Sequence, residues 1–306
     1  MIYTVTCNPA LDCVVQLDGL QIGGLNRTAG ATLSPGGKGI NVSRVLHEMG
    51  ECTQALGFVA GGNGELLVSA VAKQGVPTKF IRLLEGETRI NVKLYGETET
   101  ELNAPGPVVT PQKVEELLCT VSRLCEQEDI LCLCGSLPPG MDTDSYARIL
   151  AAVADKGVQT VVDTAGEALL CALSEKPWLV KPNRDELAAL VGKGLPSIED
   201  VIEAAEWLRE KGAQNVLVSM GKDGALLCAG EKRMYQPAPQ GEVVGTVGAG
   251  DSLVAGFAAG WQRYGDMAQA LRLGVACGSA TAFSEGLATA PLVKELMASM
   301  PEIQEM

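Results

Sequence analysis

Histidine is nearly missing from this chain, which has one, His47, among its 306 residues. None of its ten cysteines belongs to a C-x-x-C pair. Structural zinc sites are built from clustered cysteines and histidines, so these two absences argue against one. Because the chain is long enough to bury an ample core, we expect its cysteines to be reduced core residues and not a disulfide framework.

Positive charge is also scarce and scattered. The chain has 24 Lys and Arg against 37 Asp and Glu, a formal net charge of -13, and no basic run. Nucleic acids and anionic membrane surfaces are bound through clustered cations, so neither is expected to be the main partner. An anionic substrate would need a local concentration of positive charge.

Long apolar runs are lacking as well. No stretch reaches the roughly 18 uninterrupted apolar residues that a membrane-spanning helix requires. The first residues form a short β-branched run, where a secretory signal would have a basic segment followed by a long apolar one. We therefore expect a globular, cytoplasmic protein without a membrane partner.

Hydrophobic residues make up 46% of the chain and occur in short, regularly patterned segments. After residue 110, β-like runs at 130–134, 160–163, 179–181 and 216–219 are separated by helical stretches that include 145–154 and 198–211. This alternation predicts βαβ units and a mostly parallel sheet covered on both faces. Ligands of such sheets bind at the carboxyl ends of the strands, and polar or turn-forming residues follow each of these runs.

Two early segments, 12–34 and 88–103, do not fit the alternation. Residues 89–94 alternate with period two, as strands do, and both segments predict strands of a small separate sheet. So few strands are rarely stable unless their apolar face is covered, which indicates a lid and dimer interface. With no internal repeat or long linker, the sequence predicts one domain spanning residues 1–306.

The most informative segment is residues 245–252, GTVGAGDS, where a glycine turn, a carboxylate and a helix start meet. Apolar residues at helical spacing from Val254 onward predict a helix that begins near Asp251. Free amides at a helix N-terminus stabilise negative charge, and glycines allow a phosphate to approach. Asp251 is then either an ordinary N-cap or a base that takes a hydroxyl proton beside a held phosphoryl group.

Two further motifs leave alternatives open. Residues 36–42, GGKGINV, run into a second helix and are either a ligand-approach loop or a tight turn, without Walker A spacing. Asn183 and Glu186 are three residues apart at a helix start, which suits either a capping arrangement or the orientation of Mg²⁺ against nucleotide phosphates.

Dispersed polar residues complete the candidate site. They lie on segments that would converge on one pocket and offer partners for sugar hydroxyls and cations for a phosphate, although each alone also fits a solvated strand. The residues are Asp12, Asn41, Arg89, Lys93, Asn103 and Ser136.

In this order, the motifs GGKGIN (36–41), NRDE (183–186) and GAGD (248–251) resemble those of the ribokinase-like pfkB family of carbohydrate kinases. The resemblance extends over nearly the whole chain. It implies a central α/β domain with a small β-sheet lid, often used for homodimerisation, and MgATP as phosphoryl donor. It also implies that Asp251 is the catalytic base and that the amides of Gly248, Ala249 and Gly250 hold the transferring phosphoryl group.

The candidate residues fall into two sites. The resemblance implies Asp12, Gly37, Asn41 and Arg89 for the sugar phosphate and Ser219, Gly221, Gly224 and Ala249 for ATP, and the other candidates join them through their charge or their place in the chain. The sugar-phosphate site would comprise Asp12, Arg27, Gly37, Lys38, Gly39, Asn41, Arg89, Lys93, Asn103 and Ser136. The ATP site would comprise Lys181, Asn183, Ser219, Gly221, Gly224, Val247, Ala249 and Gly250, with Asn183 and Glu186 for the metal.

Lys38 narrows the expected substrate. Kinases of this family that act on unphosphorylated sugars commonly lack a lysine there, whereas sugar-phosphate kinases resemble this chain. An extra cation beside Arg89 suits a substrate that carries its own phosphate. The segment 88–93 looks most like that of kinases acting at C6 of fructose 1-phosphate.

Three alternatives compete with this expectation. A tagatose 6-phosphate kinase is the nearest. A catalytically silent, sugar-phosphate-sensing relative would have a damaged glycine turn or a lost Asp251, and this chain has neither. An NAD-dependent dehydrogenase would need G-x-G-x-x-G after the first strand, and the chain lacks it.

Overall fold

Seven parallel strands form the centre of the computed structural model, which describes residues 1–17, 19–28, 30–95 and 100–306. Their order across the large sheet is β11 (Asn215–Ser219), β10 (Leu179–Val180), β9 (Gln159–Asp163), β8 (Ile130–Cys134), β1 (Ile2–Thr6), β4 (Thr53–Ala60) and β5 (Thr78–Leu83). Antiparallel strands β12 (Ala225–Ala229), β13 (Lys232–Gln236) and β14 (Gln304–Glu305) extend the sheet beyond β11. The predicted mostly parallel sheet is therefore confirmed.

Helices cover both faces of this sheet. One face carries α3 (Pro111–Leu124), α4 (Ser145–Ala151), α5 (Gly166–Ala172), α6 (Arg184–Val191) and α7 (Ile198–Glu210). The other carries α1 (Lys38–Glu48), α2 (Gly61–Lys73), α8 (Ala249–Tyr264), α9 (Met267–Ala282) and α10 (Ala290–Ser299). Along β8 the residues alternate between the two cores, with Leu131 and Leu133 in one and Cys132 and Cys134 in the other. All ten cysteines are free thiols.

A second, four-stranded sheet lies beyond the carboxyl end of β1. Its order is β3 (Gly30–Gly36), β2 (Ala10–Gln16), β6 (Arg89–Tyr95) and β7 (Thr100–Leu102). The separate small sheet expected from segments 12–34 and 88–103 is present, although the described residues 19–28 contribute no strand to it. Residues 18, 29 and 96–99 of those segments lie outside the described residues.

Helix α1 is anchored to the large sheet by buried hydroxyl groups. Ser43 lies 2.7 Å from the Thr4 hydroxyl and 2.9 Å from the Thr53 hydroxyl, which joins α1 to β1 and β4. Val42 and Val45 are fully buried on the same helix. This packing fixes the position of α1, whose first turn faces the carboxyl edge of the sheet. Among the described ranges, no helix has the length and apolar character needed to cross a membrane.

Candidate active site

The starts of helices α1 and α8 meet at a hydrogen bond. Asn41 Nδ2 donates to Asp251 Oδ2 over 2.9 Å, and Asp251 is 7% exposed. Helix α8 is capped by Gly248, whose φ of 82° places it in the left-handed region that glycine adopts without strain. Asp251 is therefore not the N-cap residue. It lies inside the first helical turn, with its carboxylate directed at α1.

The environment of Asp251 raises its pKa to about 6. Burial is the main cause, and the negative charge of Asp163 adds to it; the Asn41 hydrogen bond and the cations Lys38 and Lys181 act in the opposite direction. A carboxylate with a pKa in this range is still largely ionised at neutral pH and holds a proton more firmly than an ordinary aspartate does.

Two lysines converge on one buried carboxylate beside Asp251. Asp163, at the end of β9, is fully buried, and its Oδ1 lies 3.0 Å from Lys38 Nζ and 3.2 Å from Lys181 Nζ. Burial alone would raise the pKa of Asp163, but Lys181 and Lys38 outweigh it and lower the pKa. The carboxylate thus stays charged and holds both ammonium groups at the carboxyl edge of the sheet.

Lys181 lies against the glycine turn that precedes α8. A Cβ at Gly250 would stand 3.5 Å from Lys181 Nζ. The Ala249 amide donates to Thr246 O over 3.2 Å and so closes the turn. The amide of Gly250, like others in a first helical turn, has no intrahelical acceptor. An ammonium group and a helix N-terminus therefore face the same point, an arrangement that stabilises a phosphoryl group.

A second polar cluster lies on the small sheet. Asp12 Oδ2 is 3.2 Å from Lys93 Nζ, and Asp12 Oδ1 accepts a hydrogen bond from Asn91 Nδ2 over 3.2 Å. The register places Asp12 opposite Asn91, and Lys93 follows two residues later on the same face. Asp12 also faces Arg44 and Arg89: burial lowers the pKa of both guanidinium groups, and the negative charge of Asp12 acts in the opposite direction.

Arg89 binds the main chain where it enters and leaves the small sheet. Its Nη2 donates to Asn8 O over 2.9 Å and its Nη1 to Ala104 O over 3.1 Å. Arg89 Nε is buried and has no partner among the described residues. This guanidinium therefore joins the segment between β1 and β2 to the segment that follows β7.

The glycines of residues 36–39 allow close packing by the chain itself. A Cβ at Gly36 would stand 2.5 Å from Asp12 Oδ2, and one at Gly39 would stand 2.6 Å from Thr6 Oγ1. Gly37 has a φ of 119°, which side chains rarely adopt, immediately before α1 begins at Lys38. The cluster thus forms the tight turn that was one of its two interpretations. Contact of Gly37 and Gly39 with a substrate remains a prediction.

The candidate nucleotide and metal residues follow β10 and β11. Asn183 caps α6: its Oδ1 accepts from Glu186 N over 2.7 Å, and Glu186 Oε2 accepts from Asn183 N over 2.8 Å. Ser219, which ends β11, pairs with Asn183, and Gly221 and Gly224 flank the turn that follows. Val247 is exposed beside the glycine turn before α8. Glu186 also acts electrostatically on Lys38, which places this edge beside the two lysines that contact Asp163.

Three predicted substrate residues are not bonded to the groups around Asp251 within the described part of the chain. Arg27 is exposed between β2 and β3. Asn103 is exposed just after β7 and donates to Glu101 Oε2 over 3.2 Å. Ser136 is exposed and follows Gly135, the glycine that packs beside Lys38.

Sequence reasoning missed Asp163, Asn91 and Arg44 as site residues. Asp163 was recognised only as a polar strand end, and its burial between two lysines has no local signal. Asn91 lies within the period-two segment that predicted a strand, on the same face as Lys93. Arg44 is one helical turn from Asn41, a spacing that could have placed both on one face.

Known proteins resemble this chain over most of its length. A model of the pfkB family of carbohydrate kinases matches residues 8–294. The 1-phosphofructokinase of Bacillus subtilis is 43% identical over 304 residues, 99% of each chain. A D-tagatose-1-phosphate kinase of Bacillus licheniformis is 36% identical over 289 residues, 94% of each chain.

A solved structure agrees in fold. Phosphofructokinase-2 from Escherichia coli, in complex with fructose-6-phosphate, has a TM-score of 0.90 and 32% identity, and the match covers 97% of this chain and 98% of that one. The α/β fold that the three sequence motifs implied is confirmed by this match. With the family model covering most of its length and a relative 43% identical from end to end, this chain belongs to the pfkB family of carbohydrate kinases.

Proposed function

We propose that this kinase transfers the γ-phosphoryl group of MgATP to the C6 hydroxyl of fructose 1-phosphate and forms fructose 1,6-bisphosphate. The observation that carries the proposal is the convergence of the buried Asp251 carboxylate, the Lys181 ammonium group and the glycine turn before α8. A proton acceptor beside an anion site is what in-line phosphoryl transfer to a hydroxyl requires.

Asp251 is the base in this proposal. Its carboxylate accepts the C6 hydroxyl proton as the oxygen attacks phosphorus, and Asn41 holds it through the 2.9 Å hydrogen bond. A pKa of about 6 suits this task, because the group is ionised at neutral pH and still takes up a proton readily.

Two groups stabilise the negative charge on the transferring phosphoryl group. Lys181 and the Gly250 amide face one point at the start of α8, and Gly248 and Ala249 shape the turn around it. Asp163 keeps Lys181 in place through their 3.2 Å contact. One donor of this kind is typically worth about 100-fold to 1000-fold in rate.

The nucleotide would lie across the ends of β10 and β11. Glu186 uses Oε2 in the cap of α6, which leaves Oε1 to bind Mg²⁺ directly or through water, the mode this ion prefers beside phosphates. A bound Mg²⁺ would neutralise charge on the ATP phosphates. Lys181, Asn183, Ser219, Gly221, Gly224 and Val247 would contact ATP.

The sugar phosphate would lie between the small sheet and α1. Asp12 and Asn91 offer partners for sugar hydroxyls, while Lys38, Lys93 and Arg89 offer positive charge for the phosphate. The Bacillus subtilis 1-phosphofructokinase, which matches this chain from end to end, supports fructose 1-phosphate. The Bacillus licheniformis relative acts on a different ketose 1-phosphate by name, so tagatose 1-phosphate is tested beside tagatose 6-phosphate.

We further propose that the small sheet is a lid and pairs two copies of the chain in the cytoplasm. Leu33, Ile90 and Leu102 are exposed on its strands, an apolar surface that a second copy would cover. The ten free cysteines are consistent with a reducing compartment.

The test is ADP release in a coupled assay with MgATP and fructose 1-phosphate, fructose 6-phosphate, tagatose 1-phosphate, tagatose 6-phosphate or free fructose. We expect kcat/KM to be highest for fructose 1-phosphate, with Asp251→Asn as the control for contaminating kinases. A preference for either tagatose phosphate would keep the mechanism and change the substrate. Inactivity with every sugar would favour the sensing relative.

A further inference from the structure

Arg44 lies one turn along α1 from Asn41 and contacts its side chain. Arg44 Nη1 is 3.3 Å from Asn41 Oδ1 and 3.4 Å from Pro35 O, near the end of strand β3. The arginine is half-buried, and residues three apart on a helix share a face. The guanidinium group therefore joins the side chain that binds Asp251 to the last strand of the small sheet before α1.

The Asn41 amide has one partner at each end. Its oxygen accepts from Arg44, and its nitrogen donates to Asp251. If the amide turned over, its NH₂ group would face a guanidinium group, which only donates, and its oxygen would face an ionised carboxylate, which only accepts. Both hydrogen bonds would be lost, so Arg44 reinforces the orientation in which Asn41 donates to the carboxylate.

We propose that Arg44 is a positioning residue for Asp251: it fixes the Asn41 amide and couples that amide to strand β3 through Pro35. In its kinetic consequences this proposal rests on the proposed function. Its structural content does not, because the orientation of Asn41 acts on Asp251 whatever the substrate is. A single nitrogen, Arg44 Nη1, donates to both oxygens and so links the Asn41 side chain to the Pro35 carbonyl.

Replacing Arg44 does not remove any of the charged groups that face Asp251. Asp251 is faced by Asp163 from β9, by Lys38 from α1 and by Lys181 after β10. Arg44 itself faces Asp12 of β2. An effect of Arg44 on Asp251 that passes through the amide must therefore disappear when Asn41 is removed.

The experiment compares Arg44→Met and Arg44→Lys with Arg272→Met. Arg272 is a matched control, since it is also half-buried and also donates to main-chain carbonyls, Met297 O and Met300 O, away from the site. Two readouts are used: the pH profile of kcat, and the titration of the Asp251 carboxyl carbon in ¹³C-aspartate-labelled protein, assigned by its absence in Asp251→Asn.

We expect Arg44→Met to raise the pH at which Asp251 titrates, because the Asn41 amide is no longer held from its other end and its hydrogen bond to the ionised form weakens. At pH 6, kcat should fall about 10-fold and recover in large part at pH 8, with KM values changed less than about 3-fold. Arg44→Lys should show a smaller shift. Arg272→Met should lower the melting temperature and leave both profiles unmoved.

A double-mutant cycle with Asn41→Ala tests whether the effect of Arg44 on Asp251 passes through the Asn41 amide. In that background Arg44→Met should add no further shift, since the amide it orients is gone. The proposal would be overturned if Arg44→Met lowered kcat equally at every pH and left the Asp251 titration unmoved. It would also be overturned if Arg44→Met shifted the titration just as far in the Asn41→Ala background. If Arg44→Met does not fold, Arg44→Lys carries the same comparison. A shifted Asp251 titration in a chain that phosphorylates no sugar would support the positioning role and reject the proposed function.

Discussion

Asn41 and Asp251 are 210 positions apart in the chain and share a hydrogen bond of 2.9 Å. Each lies in the first turn of a helix that follows a glycine with positive φ, Gly37 in one case and Gly248 in the other. The two helix starts face each other at the carboxyl edge of the large sheet. The carboxylate is therefore held by an element next to the small sheet while it remains beside the glycine turn of α8.

Replacement of Asp251 by asparagine should abolish most turnover. The amide retains the shape and can still accept from Asn41, but it cannot take up a proton, and loss of a general base typically costs about 100-fold to 10,000-fold. We expect kcat to fall within that range, with the KM for ATP unchanged and the melting temperature not lowered. Near-native turnover would reject Asp251 as the base. Asp155→Asn, an exposed substitution of the same kind, is the control.

The raised pKa of Asp251 should appear in the pH dependence of kcat/KM. The free enzyme needs the ionised carboxylate, so activity should decline below about pH 6. The phosphate monoester of the substrate also titrates near pH 6, so the acidic limb of the profile could belong to the enzyme or to the substrate. Asp251→Glu should shift the acidic limb along the pH axis if the limb reports Asp251, and should leave it in place if the limb reports the substrate.

The same pKa predicts a gain in stability from Asp251→Asn at neutral pH. The folded-state pKa of about 6 is above the ordinary value of 3.8, so the buried group stabilises the fold when protonated and loses that contribution as the pH rises through 6. Asparagine has no such loss. We expect a melting temperature at least about 2 °C above wild type at pH 7.5, with the difference gone below pH 4. A lower melting temperature at pH 7.5 would contradict the assigned shift.

Much of this architecture follows from local patterns. Alternating strands and helices predicted the parallel sheet, and the period-two segment predicted β6. The helix start beside Asp251 also follows from the sequence, since glycine turns and apolar spacing act over a few residues. Motif order, rather than any single motif, carried the resemblance to carbohydrate kinases.

Partners distant in the chain could not be predicted in this way. The placement of Lys38 and Lys181 on the Asp163 carboxylate depends on three elements brought together by the sheet order. A polar strand end indicates which edge a residue occupies, but it does not identify the group that it contacts.

The glycine turn before α8 can be tested with a pair of alanine substitutions. A Cβ at Gly250 would make an ordinary 3.5 Å contact with Lys181 Nζ, whereas one at Gly248 would come within 2.6 Å of Leu287 Cδ2 at a φ of 82°. We expect Gly250→Ala to fold normally and lose at least about 10-fold in kcat, because it crowds the phosphoryl position. Gly248→Ala should lower the melting temperature as well. Full activity of Gly250→Ala would place the phosphoryl group elsewhere.

Asp163 should be a large contributor to stability. Asp163→Asn would leave the Lys181 ammonium group, whose side chain is 4% exposed, buried without a counter-charge. Breaking a buried pair in this way costs about 3–5 kcal/mol, measurable by urea unfolding. Asp163→Asn combined with Lys181→Met should recover part of the loss, since the stranded charge is removed. No recovery would show that the two side chains do not act as a pair.

Lys38 tests which phosphate the paired lysines serve. Its ammonium group is held by Asp163, yet its side chain remains 37% exposed, so it can reach a ligand. We expect Lys38→Met to raise the KM for the sugar phosphate by at least about 10-fold and the KM for ATP by less than about 3-fold, because it removes a charge-assisted contact to the substrate's own phosphate. Lys113→Met, on the surface of α3, controls for the loss of one positive charge. A rise confined to ATP would instead assign Lys38, with Lys181, to the nucleotide, and the sugar phosphate would then depend on Arg89 and Lys93.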